Sequence, residues 1–307
     1  MNERPLVSVY LPTRNRAASV ERAIRSVLQQ DYPRFELLVV DDASTDDTAA
    51  LLDRLSSGDA RLRFFRQREP CGAGVARNVA IREASGEFVT GLDDDDLMLP
   101  HRLTSLVGAC TDAHAFACSA FYVVNERAGW YEVRSPVREE INLARLLAGN
   151  VIGNQAMLRT DRVRAIGAFD ETLPAWQDYD LWTRMVLGYG PALRVADPTY
   201  VFFESADPRR ITNSEAASIG ARLYAQKFSA RMGPGQLKAQ RFMQVAVQRR
   251  RLTLAEARAC WDDATKARIA GYWVRSNLPW VERLADAVRR RRRPLRDLPA
   301  TVRRQLP

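Results

Sequence analysis

The chain has 307 residues, 46% of them apolar, and a formal net charge of +9. This balance fits a soluble globular protein with one large domain, or one domain plus an appendage, and leaves enough chain for a substantial core. No stretch approaches the roughly 20 apolar residues that span a bilayer, and the N-terminus lacks the apolar centre of a signal peptide, so the expected location is the cytoplasm. Cys71, Cys110, Cys118 and Cys260, taken with His101 and His114, show no zinc spacing. Buried free thiols are the expectation.

Residues 6–11 form an apolar run that reads as a buried strand. Val20, Ala23, Ile24, Val27 and Leu28 then recur at helical spacing, with Ser19 as N-cap. A second strand at 35–40 ends at Asp41 and Asp42, and Ser44 with Asp47 resembles a capping box for a helix carrying Leu51, Leu52 and Leu55. A third strand at 62–65 precedes a helix over 73–84 that stops at Gly86, and a strand at 87–92 follows. This alternation implies an α/β fold with a mostly parallel central sheet and helices on both faces. Beyond Pro100 the spacing predicts a helix, then an apolar stretch at 115–124, in a mixed and partly antiparallel second half. From Ser214 onward only helical periodicity and many arginines remain, broken by Pro234, Pro279, Pro294 and Pro299. The residues from Pro294 are expected to be poorly ordered.

In parallel sheets ligands bind beyond the carboxyl ends of the strands. Three polar clusters fall there: Pro12-Thr13-Arg14-Asn15-Arg16, Asp41-Asp42 and Asp93-Asp94-Asp95-Asp96. Carboxylates this dense repel one another, so a fold gathers them where a cation neutralises them or water surrounds them. Strand alternation would turn Asp93 and Asp95 to one side and Asp94 to the other. Two carboxylates on one face suit Mg²⁺ or Mn²⁺, which take oxygen ligands and leave room for substrate phosphates. A solvated acidic loop, or a helix start before Pro100, stands beside that reading. Gly72-Ala73-Gly74-Val75-Ala76-Arg77 fits a dinucleotide fingerprint poorly, because Arg77 replaces the third glycine and the segment does not follow the first strand.

Five pieces occur in order: Val9-Tyr10-Leu11-Pro12-Thr13-Arg14-Asn15, Val39-Val40-Asp41-Asp42-Ala43-Ser44-Thr45-Asp46, Gly72-Ala73-Gly74-Val75-Ala76-Arg77-Asn78, Leu92-Asp93-Asp94-Asp95-Asp96 with Pro100, and Gln177-Asp178-Tyr179-Asp180-Leu181-Trp182. Together they resemble the pattern of glycosyltransferase family 2 over residues 5–205. The resemblance implies a GT-A type, Rossmann-like catalytic domain at 1–213, with a nucleotide-binding half at 1–100 and an acceptor and catalytic half at 101–213. Residues 214–307 form a basic helical C-terminal extension. It implies an inverting transferase that moves a sugar from a nucleoside diphosphate sugar, most often a UDP-sugar, to a hydroxyl of a glycan or lipid-linked acceptor.

On that resemblance Pro12, Thr13, Arg14 and Asn15 would line the nucleotide pocket, Asp42 would accept a hydrogen bond from the base, and Arg77 would approach the base or phosphates. Asp93 and Asp94 would complete the nucleotide site. Mn²⁺ or Mg²⁺ would be held by Asp95 directly and by Asp93 directly or through water. Asp178, at the start of an amphipathic helix, falls where the family places its general base. The plainer roles are a helix cap for Asp42 or Asp178, a solvated loop for Thr13 and Arg14, and a surface salt bridge for Arg77. Asp180 reads as structural, and Trp176 as a sugar-stacking ring or a core ring. Two departures stand out: Gln177 occupies a position usually held by Glu, and no His follows the final strand, which leaves Arg209 or Arg210 to meet the diphosphate.

Trp280, Val281, Leu284, Ala285 and Val288 form an apolar stripe ahead of five arginines at 289–293. That composition suits an anionic membrane surface, or a helix packed on the catalytic domain with its arginines in solvent. No nucleic-acid reader motif accompanies the charge, so specific nucleic-acid binding is not expected. Two other functions compete with transfer: a Mg²⁺-dependent nucleotidyltransferase or phosphohydrolase, and a non-enzymatic scaffold that binds nucleotide sugars.

Overall fold

A computed structural model describes residues 4–153, 155–204, 215–263, 265–277 and 292–306. The first part alternates as its periodicity requires: β1 (Val7–Thr13), α1 (Ala17–Leu28), β2 (Phe35–Asp41), α2 (Thr48–Gly58), β3 (Leu62–Arg66), α3 (Ala73–Glu83) and β4 (Phe88–Gly91). The four strands pair in parallel in the order β3-β2-β1-β4. Alternate strand residues face opposite ways. Val7, Val9, Leu11, Leu37 and Val39 pack with Val20 and Ile24 of α1 and Leu52 of α2. Tyr10, Leu38 and Val40 pack with Ala76, Ala80 and Ile81 of α3 on the other face. Burial on both faces is why these strands read as continuous apolar runs.

The second part is mixed. It contains β5 (Leu97–Met98), α4 (Arg102–Ala109), β6 (Phe116–Asn125), β7 (Trp130–Arg134), β8 (Glu139–Ile141), α5 (Leu143–Leu147), β9 (Met157–Arg159), α6 (Thr160–Ala165), α7 (Gln177–Tyr189) and β10 (Ala192–Phe203). Strand β9 lies antiparallel between β4 and β6, β7 runs antiparallel to β6, and β10 runs parallel to β6. Helices α8 (Glu215–Phe228), α9 (Pro234–Val247), α10 (Leu254–Cys260) and α11 (Lys266–Asn277) follow, then β11 (Arg293–Pro294) and α12 (Ala300–Arg303). Tyr224 of α8 stacks on Tyr179 of α7 with ring centroids 4.0 Å apart. Gly220 permits this approach, since a Cβ there would sit 2.5 Å from the Ala175 carbonyl oxygen. No described helix is long and apolar enough to cross a membrane.

The structure corrects several local expectations. Helix α1 begins at Ala17, and Ser19 lies inside its first turn, where its hydroxyl donates to the Arg16 carbonyl at 3.3 Å. Ser44 and Asp47 form no capping box. The Ser44 hydroxyl is taken by the Asn15 N–H at 2.8 Å, and Asp46 accepts the Thr48 N–H at 3.0 Å instead. Cys71 is exposed, whereas Cys118 and Cys260 are buried. The C-terminal residues are packed: β11 pairs with β7, and Leu298 and Val302 are each 1% exposed against Leu97, Leu99, Tyr131 and Phe203. An apolar cluster on the outer strands needs a cover, and the tail supplies it. Ser205, Arg209, Arg210, Pro279, the apolar stripe at 280–288 and the arginines at 289–291 lie outside the described residues.

Leu298→Ala should therefore cost about 2–5 kcal/mol of unfolding free energy, read from the denaturant midpoint. Arg296→Ala, at a side chain 84% exposed, should leave the midpoint in place. A tail that contributes nothing to the core would make the two substitutions indistinguishable.

Candidate active site

The carboxyl ends of β1, β2 and β4 lie side by side, so the loops after them converge on one edge of the sheet. After Gly91 the chain leaves β4. The Asp96 N–H donates to the Asp93 carbonyl at 3.1 Å, which closes a turn with Asp94 and Asp95 at its corners. Strand alternation therefore does not govern these side chains, and the contacts group Asp94 with Asp95 rather than Asp93 with Asp95. Arg16 Nη1 lies 3.1 Å from Asp94 Oδ1 and 2.7 Å from Asp95 Oδ2. Thr13 Oγ1 donates to Asp94 Oδ2 at 2.8 Å. Asp93 Oδ1 accepts from Arg77 Nη2 at 2.9 Å and from Gln155 Nε2 at 3.0 Å. Asp96 turns inward, 1% exposed, and accepts the Tyr200 hydroxyl at 2.8 Å and the Phe203 N–H at 3.0 Å.

Burial raises the Asp94 carboxyl to about 6 against the opposing charge of Arg16. Burial, with the charges of Asp95 and Asp93, pushes Asp96 well above the usual carboxylate range. Among the described residues no three Asp, Glu, His or Cys side chains are grouped as a ready metal cage. The arrangement fits a cation that takes its remaining oxygens from a bound diphosphate. Arg16 on Asp95 and Arg77 on Asp93 supply the positive charge that such an ion would bring.

The neighbouring loops are tied to the turn and to each other. Asn15 adopts a left-handed backbone (φ 53°), and its side-chain oxygen accepts the Thr45 N–H at 2.7 Å, which joins the loops after β1 and β2. Pro12 is half-buried at the end of β1, and Arg14 is exposed on the same loop. Asp42 is 5% exposed and accepts two backbone N–H groups, Cys71 at 2.7 Å and Gly72 at 2.9 Å, one on each oxygen. It thereby anchors the entry to α3, and each carboxylate oxygen retains a lone pair for a ligand.

Asp178 opens α7. Trp176 before it is left-handed (φ 67°), a conformation that bulky residues resist, and the rings of Tyr179 and Tyr224 hold it at 5.5 and 5.8 Å. Burial lifts the Asp178 carboxyl to about 6, opposed by the Tyr179 N–H and the charge of Arg77, while the charge of Asp93 lifts it further. Asn150 Nδ2 donates to Asp178 Oδ2 at 3.3 Å. The charges of Arg77 and Asp93 both reach Asp178, and a side-chain bond ties the start of α7 to the acidic turn. Gln177 makes that bond, its Oε1 accepting from Arg77 Nη1 at 3.4 Å. Asp180 is fully buried and paired with Arg184 and Lys227, each at 2.7 Å, so its role is structural.

The sequence assigns Arg16, Tyr10, Asn150 and Gln155 no individual role in the site. Tyr10 donates its hydroxyl to Gln155 Oε1 at 3.0 Å, which orients the amide toward Asp93. Gly91 makes room for this pair, since a Cβ there would lie 2.1 Å from the Tyr10 ring and 2.2 Å from Gln155 Oε1. Arg16 closes the polar cluster after β1, and its charge opposite four aspartates is the available signal. Nothing in local pattern marks Asn150.

Residues 8–167 match the family described as glycosyl transferase family 2. The chain is 32% identical over 257 residues to a putative colanic acid biosynthesis glycosyl transferase of Escherichia coli K12, covering 82% of this chain and 92% of that protein. Among solved structures, S. aureus TarS 1–349 aligns with a TM-score of 0.62 at 22% identity, over 91% of this chain and 83% of that one, and the same fragment has been solved with UDP-GlcNAc. The mannosyltransferase PcManGT of Pyrobaculum calidifontis, in complex with GDP-Man and Mn²⁺, aligns with a TM-score of 0.58 at 23% identity, over 94% and 80% of the two chains. These two likenesses carry the fold, which is of the GT-A type with a mostly parallel central sheet.

The Asp42 anchor gives a direct check. An amide cannot accept two N–H groups on both of its terminal atoms, so Asp42→Asn leaves one of the two donors without its charge-assisted acceptor. The expected loss is about 1–3 kcal/mol of stability in chemical denaturation. An unchanged midpoint would show that the loop into α3 does not depend on the carboxylate.

Proposed function

This chain belongs to glycosyl transferase family 2, and we propose that it transfers a sugar, with inversion at the anomeric carbon, from a UDP-sugar to a hydroxyl of a surface or lipid-linked glycan. Family membership makes the chain a glycosyltransferase and sets aside the phosphohydrolase and scaffold readings. Support for a nucleoside diphosphate donor comes from the bound UDP-GlcNAc of TarS and the bound GDP-Man of PcManGT. Support for glycan assembly comes from the name of the E. coli relative.

The observation that carries the mechanism is the side-chain link from Gln177, beside Asp178 at the start of α7, through Arg77 to Asp93. It puts a carboxylate of raised proton affinity beside the group that would receive the donor's phosphates. Asp42 would accept from the base through a free lone pair, beside Pro12, Thr13, Arg14 and Asn15. Arg77, Asp93 and Asp94 would meet the ribose and diphosphate. Asp93 and Asp95 would hold Mn²⁺ or Mg²⁺, whose charge would neutralise the departing nucleoside diphosphate. Asp178 would take the proton of the acceptor hydroxyl as its oxygen attacks the anomeric carbon. The α7 N-terminus and Asn150 keep that carboxylate aimed.

A base with its carboxyl near 6 is ionised above that pH and protonated below it. kcat/KM should therefore fall about tenfold per pH unit below about 6, whereas an unshifted carboxylate would hold activity down to about 4. Asp94 titrates over the same range, so UDP affinity followed across it separates donor binding from proton transfer. Asp178→Asn should lower turnover about 10²–10⁴-fold and keep UDP affinity, measured by UDP release with acceptor and by thermal shift with UDP-sugars and Mn²⁺. Unaltered turnover in this variant would remove Asp178 from the reaction.

A further inference from the structure

A cavity of about 230 Å³ lies against Gln155, Tyr200 and Arg102. Its floor holds Arg102, only 1% exposed. The guanidinium donates to Ser119 Oγ at 3.1 Å, Thr199 Oγ1 at 2.9 Å and the Gln155 carbonyl at 3.2 Å, and its centre lies 5.1 Å from the centroid of the Tyr200 ring. All three acceptors are neutral, and among the described residues no carboxylate pairs with it. Its Nε is buried without a hydrogen-bond partner. A cation withdrawn from water with donors unused is costly to keep. An unmatched buried donor of this kind is met by ordered water or by an anion.

The walls specify what the anion is attached to. Phe121, Phe202, Val123 and Ile152 line the cavity above Arg102. Aromatic rings offer flat apolar faces to the C–H side of a sugar ring. The volume falls below the range of about 300–1,000 Å³ used by drug-sized ligands, at the scale of one sugar unit. The mouth carries Arg134, with a side chain 57% exposed, and Glu204, whose carboxylate is held by Asn125 Nδ2 at 2.9 Å. Gln155 divides the two sites: its side chain serves Asp93 and its carbonyl serves Arg102. Asn150, on the same segment, holds Asp178. A sugar bound here would be one stretch of backbone from the base.

We propose that this cavity is an acceptor subsite for a sugar bearing an anionic substituent, with Arg102 meeting the anion and Phe121 flanking the ring. The assignment rests on the transfer reaction proposed above, which supplies the acceptor. The test uses the full chain with UDP and Mn²⁺ present and saturation-transfer NMR on three probes: methyl glucuronide, glucose 6-phosphate and methyl glucoside. At least one anionic probe should bind tenfold or more tightly than the neutral glucoside, and which one does so tells carboxylate from phosphate. Val123→Phe, which fills the cavity, should abolish that binding while UDP affinity stays, and Arg102→Met should abolish the anionic preference. Equal affinity for the three probes overturns the proposal, as does anionic binding that survives Val123→Phe; Arg102 would then be a structural strut only. Failure of wild-type protein to bind UDP would instead count against the donor reading, while the relative affinities of the three sugars would still decide the cavity's role.

Discussion

Four consecutive carboxylates at a strand end can be kept together only by compensating their charge. Two like charges 4 Å apart oppose each other by about 4 kcal/mol at an effective dielectric of 20, a large fraction of a domain's whole stability. The fold meets this in three ways within one turn. Arg16 bridges Asp94 and Asp95, Arg77 pairs with Asp93, and burial favours the protonated form of Asp96 against Tyr200 and Phe203. The two arginines come from different segments, the loop after β1 and helix α3. Compensation at the turn is therefore also what draws those segments into one pocket.

The same network reaches the candidate base. Burial raises the proton affinity of Asp178, and on top of that Arg77 lowers it and Asp93 raises it, so the charge of the turn bears on the candidate base. On the proposed reading, a donor arriving with a divalent ion changes the charge around Asp93 and Asp95, and Asp178 feels that change through Arg77. Gln155 and Asn150 add a mechanical link, since one short segment touches Asp93 at one point and Asp178 at another. The left-handed Trp176, held by Tyr179 and Tyr224, fixes where α7 begins and hence where its first carboxylate points.

Much of this is legible in the sequence because its cause is local. The apolar runs of β1, β2 and β4 follow from burial on both sheet faces, and the rule that ligands gather at strand carboxyl ends selects Thr13, Asp42 and the acidic turn. The grouping of Asp94 with Asp95 is not legible, because it depends on a turn closed by a single backbone hydrogen bond and on a guanidinium 78 residues away. Ser44 misleads for the same reason: its hydroxyl has a local use as a cap and a distant one with Asn15, and the distant one wins. Asn150 carries no periodic or compositional mark, and its role comes from tertiary placement alone. The packed tail is hidden because Leu298 and Val302 are isolated apolar residues in a basic stretch, and only the uncovered cluster on β6, β7 and β10 gives them a destination.

On the proposed reading, Asp95 and Asp93 take up a divalent ion together with the donor diphosphate, in place of charge supplied by Arg16 and Arg77. Electron paramagnetic resonance of Mn²⁺ titrated into the protein, with and without UDP, reads this most directly. The account predicts weak Mn²⁺ binding alone, at least tenfold tighter binding with UDP, and loss of that gain in Asp95→Asn. Mn²⁺ affinity indifferent to UDP, or unchanged in Asp95→Asn, would contradict it.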